Sequence, residues 1–186
     1  LHVVRLMIGG KIQNYRNILR RYIRDYGENE DINRAVQVLE RAKRDALKAQ
    51  DKTELIGYEG MASNAYFEVL PILILNQKTD FPFHGRNRRP PKDAVNAMLS
   101  FAYTLIANDV AAALETVGLD PYVGFLHTLR PGRTSLALDM MEELRAYLGD
   151  RFILSLINKR QISVKDFLWQ GDNGAVMTDK GKKTFI

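Results

Sequence analysis

The chain has 186 residues, 46% of them hydrophobic, and is therefore long and apolar enough to fold as one domain with a substantial core. It contains no cysteine, which excludes disulfides, thiolate metal sites and cysteine nucleophiles and is compatible with the cytoplasm. The net charge of +5 favours an anionic partner such as nucleic acid, although many proteins are equally basic for no specific reason. No apolar run reaches the roughly 18 residues of a membrane span, so we expect no membrane partner.

Apolar residues recur at steps of three and four along the first half of the chain, which predicts helices with one buried face. The first helix is expected from about Lys11 to Gly27, and the second begins near Asp31. A third helix begins near Thr53 and carries many small residues around a single acid, Glu59.

Two of those small residues are glycines, Gly57 and Gly60. Each glycine costs a helix about 1 kcal/mol relative to alanine, so we expect another group to approach the third helix closely.

The second half of the chain also reads as helical. A basic loop over residues 76–91 precedes a long buried helix that has Pro91 in its first turn and Gly118 as its C-terminal cap. Ser135 is placed to cap the next helix, and Gly149 is placed to stop it.

On that helix we expect Leu136, Met140 and Leu144 in the core. Another helical segment follows over residues 151–159, and a capping-box pattern begins at Ser163. The chain then ends in a small turn or hairpin and a last helical turn. The predicted fold is all-α.

The helix after Ser135 carries three carboxylates that can share one side, namely Asp139, Glu142 and Glu143. Acids on a helix most often form a solvated face. His127 precedes this helix, and neutral imidazole is a common metal ligand, although a single histidine beside an apolar run is more often a packing residue. Glu59 is a third candidate ligand, because an unpaired buried carboxylate would be costly.

Glu59, His127 and Glu142 would together form a three-ligand shell for Mg²⁺ or Mn²⁺, and zinc is also chemically possible. A phosphodiester at such a site needs basic side chains to hold its backbone. The candidates for this role are the arginines of the two basic loops, Arg86, Arg88, Arg89, Arg130 and Arg133.

Three blocks of the sequence, YEGMASNAYF, GRNRRPPKDAVNAMLSFAYTLI and GFLHTLRPGRTSLALDMMEE, resemble the helical catalytic domain of the CRISPR-associated spacer integrase, the metal-dependent endonuclease of CRISPR adaptation. The resemblance covers nearly the whole chain and includes the spacing of fifteen residues from His127 to Glu142. It implies that Glu59, His127 and Glu142 bind the metal and that Asp139 lies beside the site as a further catalytic acid. Glu143 matches less well.

The resemblance also implies a reaction and partners. A 3′ hydroxyl of spacer DNA would attack a phosphodiester of the CRISPR repeat by transesterification, and water would take its place when DNA is cleaved. The implied partners are DNA, the second-numbered Cas protein and, in the complete family member, a second copy of the chain. Three further matched residues would either hydrogen-bond near the metal or tie helices together, namely Asn64, Asn96 and Tyr103.

By the same resemblance, residues 1–186 form a single helical catalytic domain without the N-terminal β domain of the family. Residues 1–10 are then expected to be the end of an interdomain linker, and the C-terminal helices are expected to be incomplete. Two alternatives stay open: a basic helical DNA-binding module without full integration activity, and a purely structural helical domain.

Overall fold

Most of the described residues lie in helices and the two strands are short, which confirms the predicted all-α class. The structure is a computed structural model that describes residues 1–128, 130–171 and 174–185. Its helices are α1 His2–Tyr26, α2 Glu30–Ala46, α3 Lys52–Val69, α4 Ala94–Thr116, α5 Ser135–Leu144, α6 Arg151–Asn158 and α7 Asp179–Lys183. A 3₁₀ turn over Leu70–Leu73 extends α3, and a π-helical turn over Arg145–Asp150 joins α5 to α6.

Residues 2–10 form the first turns of α1, and their place at the end of an interdomain linker stays a prediction. Val4 and Ile8 lie on the same buried stripe as Ile12, and the Arg5 side chain donates to the Ala49 carbonyl at 2.8 Å. The assignment of the chain to a single domain stays a prediction.

Helix α2 packs against both α1 and α3, and α1 also contacts α3 and α5. Side-chain caps define where two of these helices begin: Asn29 accepts from the Ile32 amide at 3.1 Å, and Asp51 accepts from the Glu54 amide at 2.9 Å. These caps satisfy amide groups that have no partner inside the helix. The stripe of α1 that packs on this core also carries Lys11, whose partners are described below.

Helix α4 begins at Ala94 behind an Asp93 cap, so Pro91 lies outside its first turn. It ends at Thr116, and Gly118 follows in the left-handed region at φ +77°, as the sequence predicts. Contrary to our expectation, α4 is long and apolar enough to cross a membrane by length and composition alone. A single helix of this kind is weak evidence for a span, because core helices meet the same criteria, and α4 packs against α5 and the C-terminal hairpin.

The predictions for α5 were partly wrong. Ser135 is its first residue rather than its cap, and its hydroxyl donates to the Thr128 carbonyl at 3.2 Å. Gly149 does not stop the helix, because the π-helical turn continues into α6. A Cβ at Gly149 would lie 3.0 Å from the Tyr103 ring, so this glycine allows close packing on α4.

Of the three residues expected in the core of α5, only Leu136 is buried. Met140 and Leu144 are 41% and 36% exposed, while the neighbouring Met141 is buried. The reason is that the inward side of α5 also carries buried acids, so apolar spacing does not identify that side.

The C-terminal segment contains the predicted hairpin. Strands β1 Phe167–Trp169 and β2 Ala175–Met177 pair antiparallel, and the capping box of Ser163 closes a 3₁₀ turn over Val164–Asp166 rather than an α-helix. Thr178 caps α7. The part of the predicted turn at residues 172 and 173 lies outside the described residues.

Candidate metal centre

Asp139 organises the turn that precedes α5. Its carboxylate is fully buried and accepts hydrogen bonds from the amides of Phe125, Leu126 and His127, at 2.5, 2.8 and 3.0 Å. Burial raises the pKa of this carboxyl, but the hydrogen bonds from His127 and the backbone outweigh burial and lower it. Asp139 is therefore a buried anion that holds the turn, and its charge needs no metal to offset it.

The same carboxylate determines which nitrogen of His127 is free to bind a ligand. His127 Nδ1 lies 2.6 Å from Asp139 Oδ1, and an ionised carboxylate only accepts hydrogen bonds, so Nδ1 carries the proton. The lone pair of neutral imidazole is then on Nε2. A carboxylate that orients a histidine in this way is typical of metal sites.

Gly124 makes this arrangement sterically feasible. A Cβ at this position would lie 2.7 Å from Ser135 Cβ and 2.9 Å from Asp139 Oδ2. The turn can therefore approach α5 closely enough to donate its amides only because residue 124 has no side chain.

Glu59 of α3 and Glu142 of α5 are joined by the ammonium group of Lys11 from α1. Lys11 Nζ hydrogen-bonds to Glu59 Oε1 and lies 2.7 Å from Glu142 Oε2, and the Lys11 side chain is 3% exposed. The approach to Glu142 Oε2 lies outside hydrogen-bond geometry, so this buried oxygen has a charge partner but accepts no hydrogen bond. Ser63 donates to Glu59 Oε1 at 2.8 Å.

These charges shift one another's pKa values. Burial by itself raises the pKa of Glu142 and lowers that of Lys11. For Glu142 the positive charges of Lys11 and Arg145 prevail, and its pKa is lowered. For Lys11 the acidic neighbours prevail, and its pKa is raised; they are Tyr15, Glu142 and Glu59.

Arg145 connects the site to a second buried acid. Its guanidinium lies 3.0 Å from Glu142 Oε1 and 4.6 Å from the centre of the Tyr103 ring, and Tyr103 donates to Asp150 Oδ1 at 2.5 Å. Burial, opposed by the Tyr103 hydrogen bond, raises the pKa of Asp150 to about 6. The π-helical turn places Arg145 and Asp150 on the inward side of the chain.

Within residues 1–128, 130–171 and 174–185, no three His, Asp or Glu side chains are arranged so that they could hold a metal ion. The donor set nevertheless fits a divalent cation in its chemistry. Two carboxylates meet at one cation, the ammonium of Lys11, and the Asp139 carboxylate orients the imidazole of His127. The difference from the predicted shell is thus that Lys11 occupies the space between Glu59 and Glu142.

The glycines of α3 do not have the role that we expected. Cβ atoms built at Gly57 and Gly60 meet nothing within 4 Å, so neither glycine is needed for packing between the described residues. Glu143 is exposed and packs on Gly10 of α1, away from the Lys11 contacts, which agrees with its weaker match to the family.

The three supporting residues have different surroundings. Asn96 is fully buried and ties the basic loop to α4, since it accepts from the Asn87 amide and donates to the Gly85 carbonyl. Tyr103 ties α4 to the π-helical turn through Asp150. Asn64 is exposed on α3.

The predicted DNA-binding arginines also separate into two groups. Arg86 uses its guanidinium internally, with Asn96 Oδ1 at 2.7 Å and Ser100 Oγ at 3.2 Å, which favours a structural role. The other four are exposed or half-buried, and no hydrogen bond or ion pair joins their side chains to another described residue; they are Arg88, Arg89, Arg130 and Arg133. Their role in DNA binding stays a prediction.

Lys11 and Arg145 are the residues that sequence reasoning missed. Lys11 lies three residues from Ile8 and four from Tyr15, inside the apolar stripe of α1, where a lysine requires a buried carboxylate. Arg145 follows Glu142 at the i+3 spacing of a helical ion pair. Both signals are present in the sequence, but neither identifies the partner of Lys11.

The fold and the site together define an all-α domain in which two helices bring carboxylates to one buried lysine of a third, and a turn places a histidine against a further buried carboxylate. The chain belongs to the family described as CRISPR associated protein Cas1, whose model matches residues 1–186. It is 44% identical to the CRISPR-associated endonuclease Cas1 of Leptospira interrogans, in an alignment that covers 100% of this chain and 74% of that protein. It is 48% identical to the CRISPR-associated endonuclease Cas1 1 of Chlorobaculum tepidum, over 99% of this chain and 54% of that protein.

Solved structures share the fold. A CAS1 protein from Thermotoga maritima aligns over 98% of this chain and 55% of its own, with 31% identity and a TM-score of 0.83. A casposase bound to integration product aligns over 98% of this chain and 50% of its own, with 25% identity and a TM-score of 0.80. The partial Cas6-RT-Cas1–Cas2 complex aligns over 99% of this chain and 55% of its own, with a TM-score of 0.87, and at 24% identity this likeness concerns the fold alone.

Proposed function

We propose that this chain is the catalytic domain of a metal-dependent DNA endonuclease and integrase of CRISPR adaptation. The family, the relatives named as endonucleases and the similarity to a casposase bound to integration product support the nuclease and integrase class. The observation that carries the proposal is the contact of Asp139 with His127 Nδ1, because it leaves Nε2 free to bind a cation. The chain spans only about half of several relatives, so the activity of the whole protein is part of the proposal.

Glu59, Glu142 and His127 Nε2 are the side chains that would hold Mg²⁺ or Mn²⁺. When bound, such a cation polarises a phosphodiester and lowers the pKa of a bound water. Asp139 keeps the imidazole in the ligating tautomer, and Arg145 keeps Glu142 ionised and oriented. Asp139 and Arg145 thus each act by holding a metal ligand in the form that can bind a cation: His127 with Nε2 unprotonated, and Glu142 ionised.

The DNA contacts and partners follow from the same proposal. Arg88, Arg89, Arg130 and Arg133 would bind phosphates of the spacer precursor and of the CRISPR repeat. A spacer 3′ hydroxyl would then attack a repeat phosphodiester, or water would attack in the cleavage reaction. We further propose that the complete protein works in the cytoplasm as a homodimer with Cas2, because a Cas6-RT-Cas1–Cas2 complex shares the fold of this chain.

The test is cleavage of labelled branched DNA by the purified 186-residue chain with Mn²⁺, with Mg²⁺ and with chelator. His127→Ala should lower the rate at least about a hundredfold because it removes a ligand. His2→Ala is the matched control, since His2 is exposed in the first turn of α1 and lies outside the site and the basic loops. Cleavage that persists in His127→Ala, or that ignores chelator, would contradict the proposal.

A second candidate function is DNA binding without turnover. The contact of Lys11 with both Glu59 and Glu142 favours it, because Lys11 and Arg145 together balance the two carboxylates. DNA affinity that falls steeply with salt, together with no metal-dependent cleavage, would support this alternative.

A further inference from the structure

The feature that the proposed function leaves unexplained is the buried ammonium of Lys11 between the two carboxylates. The Lys11 side chain is 3% exposed, and its ammonium group contacts the carboxylates of Glu59 and Glu142. The Tyr15 ring is the nearest aromatic face, with its centre 5.7 Å away. A buried lysine is costly unless it is paired, so the packing of α1 depends on these contacts of Lys11 with carboxylates.

The four side chains that these ion pairs join carry balanced charge. Glu59 and Glu142 contribute two negative charges, and Lys11 and Arg145 contribute two positive charges. A divalent cation that entered this set would face two buried positive groups at short range. Arg145 is held over the Tyr103 ring and contacts Glu142 through Oε1, whereas Lys11 contacts the opposite oxygen, Oε2.

We propose that Lys11 is a built-in counter-cation of this site: its ammonium holds Glu59 and Glu142 together when no divalent cation is bound, and a divalent cation binds by replacing those contacts. This inference rests on the proposed function. It makes Lys11 a positioning residue that sets metal affinity and couples it to the packing of α1 on α3 and α5.

The geometry of α1 agrees with such a role. Next to Lys11, Gly10 lies under the Glu143 side chain, where a Cβ would be only 2.6 Å from Oε1, and Asn14 donates to the Glu143 carbonyl at 2.8 Å. The backbone of α1 is therefore held against α5 by contacts that do not involve the ammonium. Replacement of the ammonium contacts can then occur by side-chain movement, without separation of the helices.

The experiment is a Mn²⁺ titration by calorimetry without DNA, together with thermal melting of the same proteins with and without Mn²⁺. Lys11→Met keeps the aliphatic stem and removes the charge. We expect it to bind Mn²⁺ at least about tenfold more tightly than the wild type. We also expect it to melt at a lower temperature without metal and to gain more from Mn²⁺.

Two further variants complete the comparison. Lys11→Gln removes the charge but keeps a donor, and it gives the same comparison if Lys11→Met does not fold. Lys43→Met is the matched control, because Lys43 is a half-buried lysine that donates to Gln13 of α1 at 2.8 Å and has no carboxylate partner among the described residues. It should leave Mn²⁺ affinity unchanged.

The outcomes separate the two proposals. If the wild type binds Mn²⁺ through His127 but neither Lys11 variant binds it more tightly, the counter-cation inference is wrong and the proposed function survives. If no variant and no wild-type protein binds Mn²⁺, both proposals fall.

Discussion

Replacement of Asp139 by asparagine tests whether one buried carboxylate holds both the turn and the histidine. Asp139 accepts four hydrogen bonds, two on each oxygen: Oδ2 takes the amides of Phe125 and Leu126, and Oδ1 takes the amide and Nδ1 of His127. Asparagine has one oxygen. At least two donors therefore lose their acceptor, and the new amide group adds two more donors to the same buried space.

The cost can be worked from these contacts. A buried donor without a partner costs about 1–3 kcal/mol, so two of them reduce the free energy of unfolding by about 2–6 kcal/mol. If the new asparagine NH₂ faces His127, two donors face each other, and His127 relieves this clash when Nδ1 loses its proton and accepts from the asparagine NH₂. In that tautomer Nε2 carries the hydrogen and cannot bind metal, so we expect Mn²⁺ affinity to fall by about 10–100-fold.

Urea unfolding measures the first effect, calorimetric Mn²⁺ titration measures the second, and ¹⁵N NMR of the imidazole reports the tautomer. Glu143→Gln is the matched control, because Glu143 is an exposed acid on the same helix. It should change unfolding by less than about 0.5 kcal/mol. The reasoning is refuted if Asp139→Asn retains wild-type stability and Mn²⁺ affinity, or if Nδ1 remains protonated.

Three further predictions concern other parts of the structure. Asp150 has a pKa raised to about 6, so its contribution to stability is complete below about pH 4 and is lost as the pH rises through about 6. Asp150→Asn should remove about 3 kcal/mol of that pH dependence, measured by urea unfolding at about pH 4 and about pH 7. An unchanged profile would contradict the assignment. Gly124→Ala places a methyl group 2.7 Å from Ser135 Cβ and should lower the free energy of unfolding by about 1–3 kcal/mol, whereas a neutral result would show that the turn is not tightly packed. Arg88→Ala should weaken DNA binding and reduce the slope of log affinity against log salt concentration by about 1. Arg86→Ala should instead lower mainly the thermal stability, because Arg86 binds Asn96. A reversal of these two effects would contradict the separation of the arginines into two groups.

Most of the helices could be predicted because their signals are local. The apolar stripe of α1, the Gly118 terminus of α4 and the hairpin before α7 depend on residues within a few positions of one another. The errors occurred where buried charge changes the pattern. In α5 and the turn after it, Asp139 and Arg145 face inward, so apolar spacing misplaced Met140 and Leu144.

The sequence by itself determined the helical class, and it placed His127 within fifteen positions of Asp139 and Glu142. Only the tertiary structure decided which of these acids orients the histidine and which meets the acid of α3. It also brought Lys11 to Glu59, 48 residues away in the chain, because α1, α3 and α5 pack on one core. The physical reason is that a charged residue in an apolar stripe requires a partner of opposite charge, but the packing of distant helices determines which residue that partner is.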